Sequence, residues 1–464
     1  MKLSCRTFPR VDRRVVCALV ALAPVQAHAD GIAIIGGSPR AIGRAGAATV
    51  GDDGGGALLI NPAAMARRDS TRGQLGIAVI EDAVHWQSDT RDAPLSSGQA
   101  GSRLVPFGAA IASVDDWIIG AGLMTAAVSD RSLPAPGEMS GDLGSSFDYR
   151  YVGIAGAYRR DTLAIGAARR IGDSLALGLS VGASLVSITE HRRIWAGFGG
   201  RDTVGDPKDD VDLTLTATDL FAPSAVAGVM YAPDDAPIEL GASVAWARTV
   251  RLDGTASAFG NPPEGPAVVY TCSPRASLEV RQPLTVRAGG RYVGEHVVAE
   301  LDGDLWVAPA AAESTAWQVS GIRIVDSASS EVNVDLRKLP SRIAQHTHVA
   351  LRTAVDAELI PGFLWATGGY AFSTLATPAA RLSPSFGDLG GHTVGLGLET
   401  TAGGFTVTLG WSRTWSLSTR APTQLQLDNP FVAGDGPVPS GVYGGSIDQV
   451  GILIEGELHH LGGP

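Results

Sequence analysis

The sequence predicts an all-β protein, a transmembrane antiparallel β-barrel of about 14 strands. Three observations lead to this fold class. Apolar and small residues alternate along many short segments, as they do in a strand with two different faces. The chain contains 59 glycines but only 18% charged residues, which suits many strands joined by turns. No stretch after the leader offers the roughly 18 consecutive apolar residues that a helical membrane span requires.

Residues 1–29 have the organisation of a secretory signal peptide. A basic start precedes a short apolar core at residues 15–25, and Ala27 and Ala29 supply the small residues of a cleavage site. The core is too short for a membrane anchor, so we expect cleavage after Ala29. A buried helix is the alternative reading, and Cys17 fits a lipoprotein signal poorly because Arg14 lies where apolar residues belong.

Charge and cysteine content agree with export. The leader carries five basic residues and one acidic residue, so its removal takes the formal charge from −11 to −15. Such an acidic protein lacks the basic stripe of a nucleic-acid-binding surface, and we expect no nucleic acid as a partner. Cys272 is then the single remaining cysteine, so no intramolecular disulfide can form.

The segment 175–185 carries the clearest alternation. Its odd positions are apolar and its even positions are alanine, glycine or serine. In a strand, the first set faces one side and the second set faces the other. The apolar set suits a face in contact with lipid, and the small set suits the crowded, mildly polar interior of a barrel. The solvent-exposed face of a soluble sandwich, in contrast, is usually rich in charged residues.

The same pattern recurs at residues 238–246, 284–292 and 449–458. Aromatic residues near the segment ends are candidates for the interfacial girdles of a barrel, namely Trp246, Tyr292, Trp411 and Trp415. About 27 residues for each strand with its connection would place about fourteen strands between residues 72 and 458. Alternation alone leaves a soluble sandwich or propeller open. Turn-rich stretches at 129–146, 197–212, 256–274 and 423–441 are predicted to be long outer loops.

Residues 30–70 do not alternate. Asn61 is placed to cap a short helix that begins at Pro62, and Arg67 and Arg68 suit its C-terminal end. Upstream, Arg44 could pair with Asp52 or Asp53 within a closed lumen.

These residues carry a family resemblance. The segments Gly43-Arg44-Ala45, Asp52-Asp53 and Asn61-Pro62-Ala63, followed by Met65, resemble the N-terminal hatch of the FadL family of outer-membrane transporters for fatty acids and aromatic hydrocarbons. The resemblance implies a small helical hatch inside the lumen at residues 30–71 and a barrel at residues 72–464. One departure is Leu458, which stands where such barrels commonly end in an aromatic residue.

The resemblance also implies a route. Ligand would enter from outside, bind an apolar site against the hatch and leave sideways through the wall. Ile32, Ile34 and Ile35 are then candidates for an apolar tip that contacts the ligand. Because glycines weaken strands and mark bulges, Gly120 and Gly122 are candidates for the kink at the lateral opening.

No catalytic or metal site emerges from the sequence. His346 and His348 lack a third ligand, whereas zinc sites use three or four. The aspartates between Asp202 and Asp212 lack the spacing of a calcium loop. We therefore expect no enzyme, no metal and no cofactor.

Three functions remain open: a passive channel for hydrophobic molecules, a structural or adhesive barrel that acts through its outer loops, and a polar porin. The channel is favoured. Its expected partners are a hydrophobic small molecule, outer-membrane lipid and lipopolysaccharide, and the barrel-assembly machinery of a Gram-negative cell.

Overall fold

A computed structural model describes residues 37–89, 95–98, 100–135, 145–198, 206–260, 267–310, 312, 315–422, 431 and 440–458. Among these residues, no helix is both long and apolar enough to span a bilayer.

Fourteen antiparallel strands close into one barrel, as the sequence predicts. The first six are β1 Arg72–Ser88, β2 Gly101–Val114, β3 Trp117–Ser132, β4 Ala155–Ile171, β5 Leu175–Trp195 and β6 Asp210–Tyr231. The next four are interrupted: β7 Ile238–Ala247 and Val250–Gly260, β8 Ala267–Val280 and Leu284–Val293, β9 Val297–Val307 and Ala316–Asp326, and β10 Ser329–Asp335, Lys338–Pro340 and His348–Ile360. The last four are β11 Leu364–Ser373, β12 Gly391–Ala402, β13 Phe405–Ser416 and β14 Gly441–Glu457.

The barrel closes between β1 and β14, which pair without interruption from Arg72 opposite Glu457 to Ser88 opposite Gly441. Two short strands, Ser96–Ser97 and Thr419–Ala421, pair with the outer ends of β1 and β14. Closure pairs the first strand with the last, as a sheet in lipid requires.

The predicted alternation holds along β5. Leu179 is 57% exposed on the outside, and the next residue, Ser180, is 2% exposed on the inside. Trp246, Tyr292 and Trp415 are also exposed, and Trp411 is half-buried. The outer face is therefore apolar and the inner face small or polar, as a lipid-embedded barrel needs.

One predicted loop is wrong. Residues 256–274 belong mostly to the outer segments of β7 and β8, which pair with their neighbours up to Gly260 and from Ala267. The prolines do not prevent this, because Pro262, Pro263 and Pro266 fall between the strands, outside the described residues. Pro274 lies at a register shift in the pairing of β8 with β9, where no ladder hydrogen bond is required of it.

Two of the other predicted loops lie at connections between strands. Strand β3 extends to Ser132, so the 129–146 connection is shorter than expected. The 197–212 stretch is a connection that ends where β6 begins at Asp210. Most of 423–441 lies outside the described residues.

The lumen has two apolar regions at different heights. The periplasmic half packs around the hatch, with Leu58, Met65 and Ile111 in its cluster. The outer half is filled by a larger cluster from β4 to β10 that includes Leu215, Trp317 and Ile324, together with Phe386 from the inward-folded connection 374–390. We call this the outer cluster.

Candidate functional site

The described part of the hatch, residues 37–71, contains one short α-helix and two 3-10 helices. Helix α1 is Pro39–Gly43, and the 3-10 helices are Gly55–Leu58 and Pro62–Arg67. The predicted cap at the third helix is present, because the Asn61 side chain accepts a hydrogen bond from the Ala63 N–H at 3.3 Å. Its amide also donates to the Thr49 carbonyl at 2.9 Å, which ties two turns of the hatch together.

Arg44 joins the hatch to the barrel wall. The expectation that it pairs with Asp52 or Asp53 is wrong. Its guanidinium instead pairs with Glu300 of β9, at 2.5 Å, and with Asp356 of β10. Those carboxylates lie on strands more than 250 positions away in the chain, so their approach depends on barrel closure.

Two carboxylates of β9 also hold the hatch backbone. Glu300 accepts hydrogen bonds from the N–H groups of Val50 and Gly51 at 2.8 and 2.9 Å. Asp302 accepts from Ala48 and Thr49 at 2.8 and 2.9 Å. Hydrogen bonds between backbone N–H groups and carboxylates are charge-assisted, so residues 48–51 are firmly fixed to the wall.

Asp52 and Asp53 have different roles. Asp52 accepts from the Ser38 hydroxyl and the Gly54 N–H, both at 2.9 Å, and burial raises its pKa. Asp53 pairs with three arginines, Arg40, Arg68 and Arg72, at 3.6, 2.8 and 3.8 Å. Against the effect of burial, Arg68, Arg72 and Arg40 hold the pKa of Asp53 below its usual value. Asp52 therefore shapes a turn, whereas Asp53 fastens the hatch to β1.

Glycines of the wall allow the hatch backbone to approach. A Cβ at Gly369 of β11 would lie 2.3 Å from the backbone carbon of Arg44, and one at Gly178 of β5 would lie 2.3 Å from the Ala63 nitrogen. The small inner face recognised in the sequence is thus the surface on which the hatch rests.

A cavity of about 230 Å³ lies above the hatch. Hatch residues Leu59 and Ile60 form its floor, and wall residues from β3 to β10 form its sides. Its apolar lining includes Ala126, Ala127, Val226, Trp306 and Ile343. Its polar lining includes Arg160, Gln282, Arg287, Asp304 and Arg352. Asp304 accepts from Arg352 at 2.7 Å, which neutralises part of the charge.

The wall beside this cavity is interrupted between β2 and β3. Regular pairing ends at Phe107 opposite Met124, and one isolated bridge joins Ala100 to Arg131. Residues 101–106 and 125–130, all of them described, form no ladder with each other. We call this the β2–β3 break. The Leu104 carbonyl at the break accepts a hydrogen bond from Arg159 of β4 at 3.2 Å.

The pairing of β3 does not change at Gly120 or Gly122, where a kink is predicted. Both keep regular pairing with β2 and β4, and the register shift lies between Thr125 and Ala127. Gly120 instead packs against the hatch, since a Cβ there would lie 2.9 Å from the Met65 sulfur. The extra residue at the bulge is Ala126, which sequence composition did not single out.

Ile32, Ile34 and Ile35 lie outside the described residues. Gly37, which follows them closely in the chain, lines the cavity. His348 stacks on Trp306 with the ring centroids 4.6 Å apart, and its Nδ1 lies 3.0 Å from the His346 carbonyl.

Sequence reasoning missed Glu300, Asp302 and Asp356. A usable signal was present, because Glu300, Asp302 and Asp304 alternate along the inner face of β9 as three acidic residues in a lumen. Their partners could not be named without the fold.

These features define a class of protein: a β-barrel with an apolar outer face whose lumen contains residues 37–71 of the same chain. The chain belongs to the outer membrane protein transport protein family (OMPP1/FadL/TodX), whose sequence profile matches residues 20–294. Members of this family are transport channels and not enzymes, and membership assigns this chain to the transport of hydrophobic compounds across the Gram-negative outer membrane.

Solved structures agree on the fold. A Pseudomonas aeruginosa FadL homologue is 13% identical with a TM-score of 0.69, covering 93% of this chain and 100% of that one. The P. putida toluene transporter TodX is 16% identical with a TM-score of 0.65, covering 92% and 100%. The Ralstonia pickettii toluene transporter TbuX is 14% identical with a TM-score of 0.62, covering 92% and 99%. No curated protein matches the chain.

Proposed function

We propose that this protein is a passive channel for small hydrophobic molecules. A ligand enters from outside, rests in the cavity above the hatch and leaves sideways through the β2–β3 break. The observation that carries this proposal is the position of Ala126 and Ala127. They line the cavity, and they also lie at the register shift beside the break. The chamber and the interrupted wall are thus adjacent.

The size of the cavity favours a small ligand. A cavity of about 150 Å³ can accept benzene, and this one has a volume of about 230 Å³. A molecule of monoaromatic size would therefore fit, whereas a long fatty-acid chain would need further space. Solved relatives include toluene transporters, which is in line with this size.

In this proposal residues 30–71 act as the hatch and residues 72–464 as the barrel. The hatch motif has two tasks: Arg44 and Asp53 fasten the plug, and Asn61, Pro62, Ala63 and Met65 build its packing core. Ile32, Ile34 and Ile35 would form the apolar tip next to the cavity. The exposed apolar belt favours outer-membrane lipid as the surrounding partner, with lipopolysaccharide outside and the barrel-assembly machinery during insertion.

Deleting Ala126 tests the lateral exit. The deletion removes the extra residue of the bulge, so β3 can pair continuously with β4. We expect uptake of labelled toluene by cells that carry the protein to fall at least about tenfold, because without the bulge β3 is no longer bent away from β2 and the opening narrows. Ala121→Trp is the control, because Ala121 lies on the exposed face of the same strand.

Unchanged uptake after the Ala126 deletion would reject the sideways route and leave an axial channel. Ala127→Trp tests the chamber itself, because the indole would fill the cavity. A variant that folds and still takes up toluene at the normal rate would contradict the chamber.

Removing residues 30–65 tests the plug. We expect a folded barrel with altered ligand retention or ion conductance. A barrel unchanged in both respects would remove the hatch from the proposal, and uptake lost with the outer loops alone would favour an adhesive barrel.

A further inference from the structure

A group of charged residues in the outer half of the lumen is not used by the channel. Glu190 and Arg192 point inward from β5, and Arg342 lies in the connection 341–347 of β10. Arg192 is 3% exposed and Arg342 is 1% exposed. Both guanidinium groups are therefore withdrawn from solvent. A buried charge without a balancing opposite charge is costly in free energy.

The two arginines are close together. The Arg192 Nη1 donates to the carbonyl of Pro340 at 2.8 Å, two positions before Arg342. Glu190 is partly committed elsewhere, because its Oε2 accepts from the Trp317 indole at 2.7 Å. Its Oε1 lies 3.4 Å from Arg192 Nη1. One carboxylate thus faces Arg192 and Arg342, which leaves an excess of positive charge.

Burial and this excess of positive charge both lower the pKa of Arg342. Burial, followed by the charge of Arg192, lowers the pKa of Arg342 to about 9, and Arg381 acts in the same direction. Glu190 opposes the shift without cancelling it. An additional negative charge at this point would relieve the repulsion.

Several donors here have no partner among the described residues. They are Nε and Nη2 of Arg192 and Nε and Nη1 of Arg342, and the hydroxyl of Tyr443 is also unpartnered. Nε and Nη2 form one edge of a guanidinium, with two parallel N–H bonds that match two oxygens of a carboxylate or phosphate. A spherical halide cannot use that edge in the same way.

We propose that Arg192 and Arg342, with Tyr443 beside them, form a buried oxyanion site in the outer half of the lumen. The ligand has at least two acceptor oxygens on one centre, as in inorganic phosphate, sulfate or a carboxylate. It bridges β5 to the 341–347 connection and thereby holds that connection against the wall. Arg192, Arg342 and Tyr443 do not line the cavity, and the site does not depend on the proposed channel function.

Inorganic phosphate is the first probe. Thermal unfolding of the full-length protein in detergent is followed at pH 7 while phosphate replaces chloride at constant ionic strength. We expect the midpoint to rise with the logarithm of the phosphate concentration above the Kd, because a ligand at free concentration c that binds only the folded state stabilises it by RT ln(1 + c/Kd). A midpoint that does not respond to phosphate, or that rises only linearly with concentration as a general salt effect does, overturns the proposal unless octanoate binds as described below.

Variants then locate the site. Arg192→Lys keeps the charge but loses the two-donor edge, so we expect the apparent Kd for phosphate to rise about tenfold. Tyr443→Phe removes one neutral donor, and a rise of about threefold is expected. Tyr443→Phe also serves if Arg192→Lys does not fold. Arg251→Lys is the control, because Arg251 is 67% exposed on the outside. Equal affinity in wild type, Arg192→Lys and Tyr443→Phe overturns the assignment.

Octanoate and 1-octanol distinguish the two sources of an oxyanion. If octanoate competes with phosphate, and Arg192→Lys weakens octanoate but not octanol, the site takes the carboxylate of an organic ligand. If only phosphate responds to Arg192→Lys, the site takes an inorganic oxyanion. Both results support the site. Indifference of phosphate and octanoate alike to the substitution removes it.

Discussion

Arg44 of the hatch and Glu300 of β9 form an ion pair with 2.5 Å between Nη2 and Oε2, although they lie 256 positions apart in the chain. The same carboxylate accepts two backbone N–H groups of the hatch through its other oxygen. Glu300 therefore fixes both a side chain and a turn of the hatch, and it connects the barrel wall to the segment inside the lumen.

Glu300→Ala should loosen the hatch without unfolding the barrel. Removing one partner of a buried ion pair typically costs about 3–5 kcal/mol. Here it leaves Arg44 paired with Asp356 alone and two hatch N–H groups without their acceptor. We expect faster protease cleavage within residues 37–71 and larger or noisier conductance in planar bilayers.

The control is Glu279→Ala, since Glu279 is an exposed carboxylate on the outer segment of β8. If the Glu300 variant matched wild type in cleavage and conductance, the wall contact would have no part in holding the plug.

Gly369→Ala should disturb the hatch, whereas Gly368→Ala should not. The new Cβ at Gly369 would lie 2.3 Å from the Arg44 backbone, whereas a Cβ added at Gly368 would have no non-neighbouring atom within 4 Å. Overpacking of this kind costs about 1–3 kcal/mol. Urea unfolding of the two neighbouring variants in the same lipid measures the difference. Similar stability of both would mean that β11 and the hatch are not in close contact.

Leu179→Arg should be more costly than Phe259→Arg. Leu179 is exposed in the middle of the lipid-facing stretch of β5, and Phe259 is exposed near the outer end of β7. A charge on the lipid face costs about 2–4 kcal/mol at the bilayer centre and about 0–1 kcal/mol near its edge. Unfolding in lipid vesicles by urea compares the two. Equal cost would show that both positions meet the same solvent, contrary to a membrane belt.

Asp148→Asn should change the pH dependence of stability. Burial, with Arg150 opposing and Asp210 adding, raises the pKa of Asp148 to about 6 in the folded protein. The folded state thus binds this proton more tightly than the unfolded chain, whose aspartates titrate near pH 4. The contribution is fully present below about pH 4 and is lost as the pH rises through about 6.

We therefore expect the wild type to lose roughly 1–3 kcal/mol of stability between pH 4 and pH 7 relative to Asp148→Asn. Unfolding midpoints measured at pH 4, 5, 6 and 7 give this difference. Asp116→Asn, at an exposed turn, is the control. Parallel pH profiles for wild type and Asp148→Asn would contradict the raised pKa.

Local patterns were sufficient for much of the fold. The strand at 175–185, the cap at Asn61 and the small inner face could be predicted because each depends on neighbours within a few positions. The 256–274 stretch was predicted wrongly because its structure depends on strands that are distant in the sequence. Its prolines suggest a loop, but pairing with β6 and β9 on either side keeps the flanking residues in strands.

The partner of Arg44 could not be predicted in the same way. Asp52 and Asp53 are near in sequence, yet Glu300 and Asp356 are nearer in space once the ring closes. The bulge at Ala126 was missed because a register shift depends on the strands on both sides. The packing role of Gly120 was missed because a larger side chain there would collide with Met65 of the hatch, which is distant in the sequence.

By itself the sequence determined an apolar outer face, a small inner face and a capped segment ahead of the strands. These follow from side-chain periodicity and local backbone preference, which are encoded position by position. The tertiary structure alone decided which carboxylates hold the plug, where the wall is interrupted and that Arg192 and Arg342 meet in the lumen. The first and the last of these join residues separated by more than a hundred positions, and only closure of the barrel brings their atoms within hydrogen-bonding or Coulombic range. The interruption of the wall depends on how β2 and β3 pair with their other neighbours, β1 and β4.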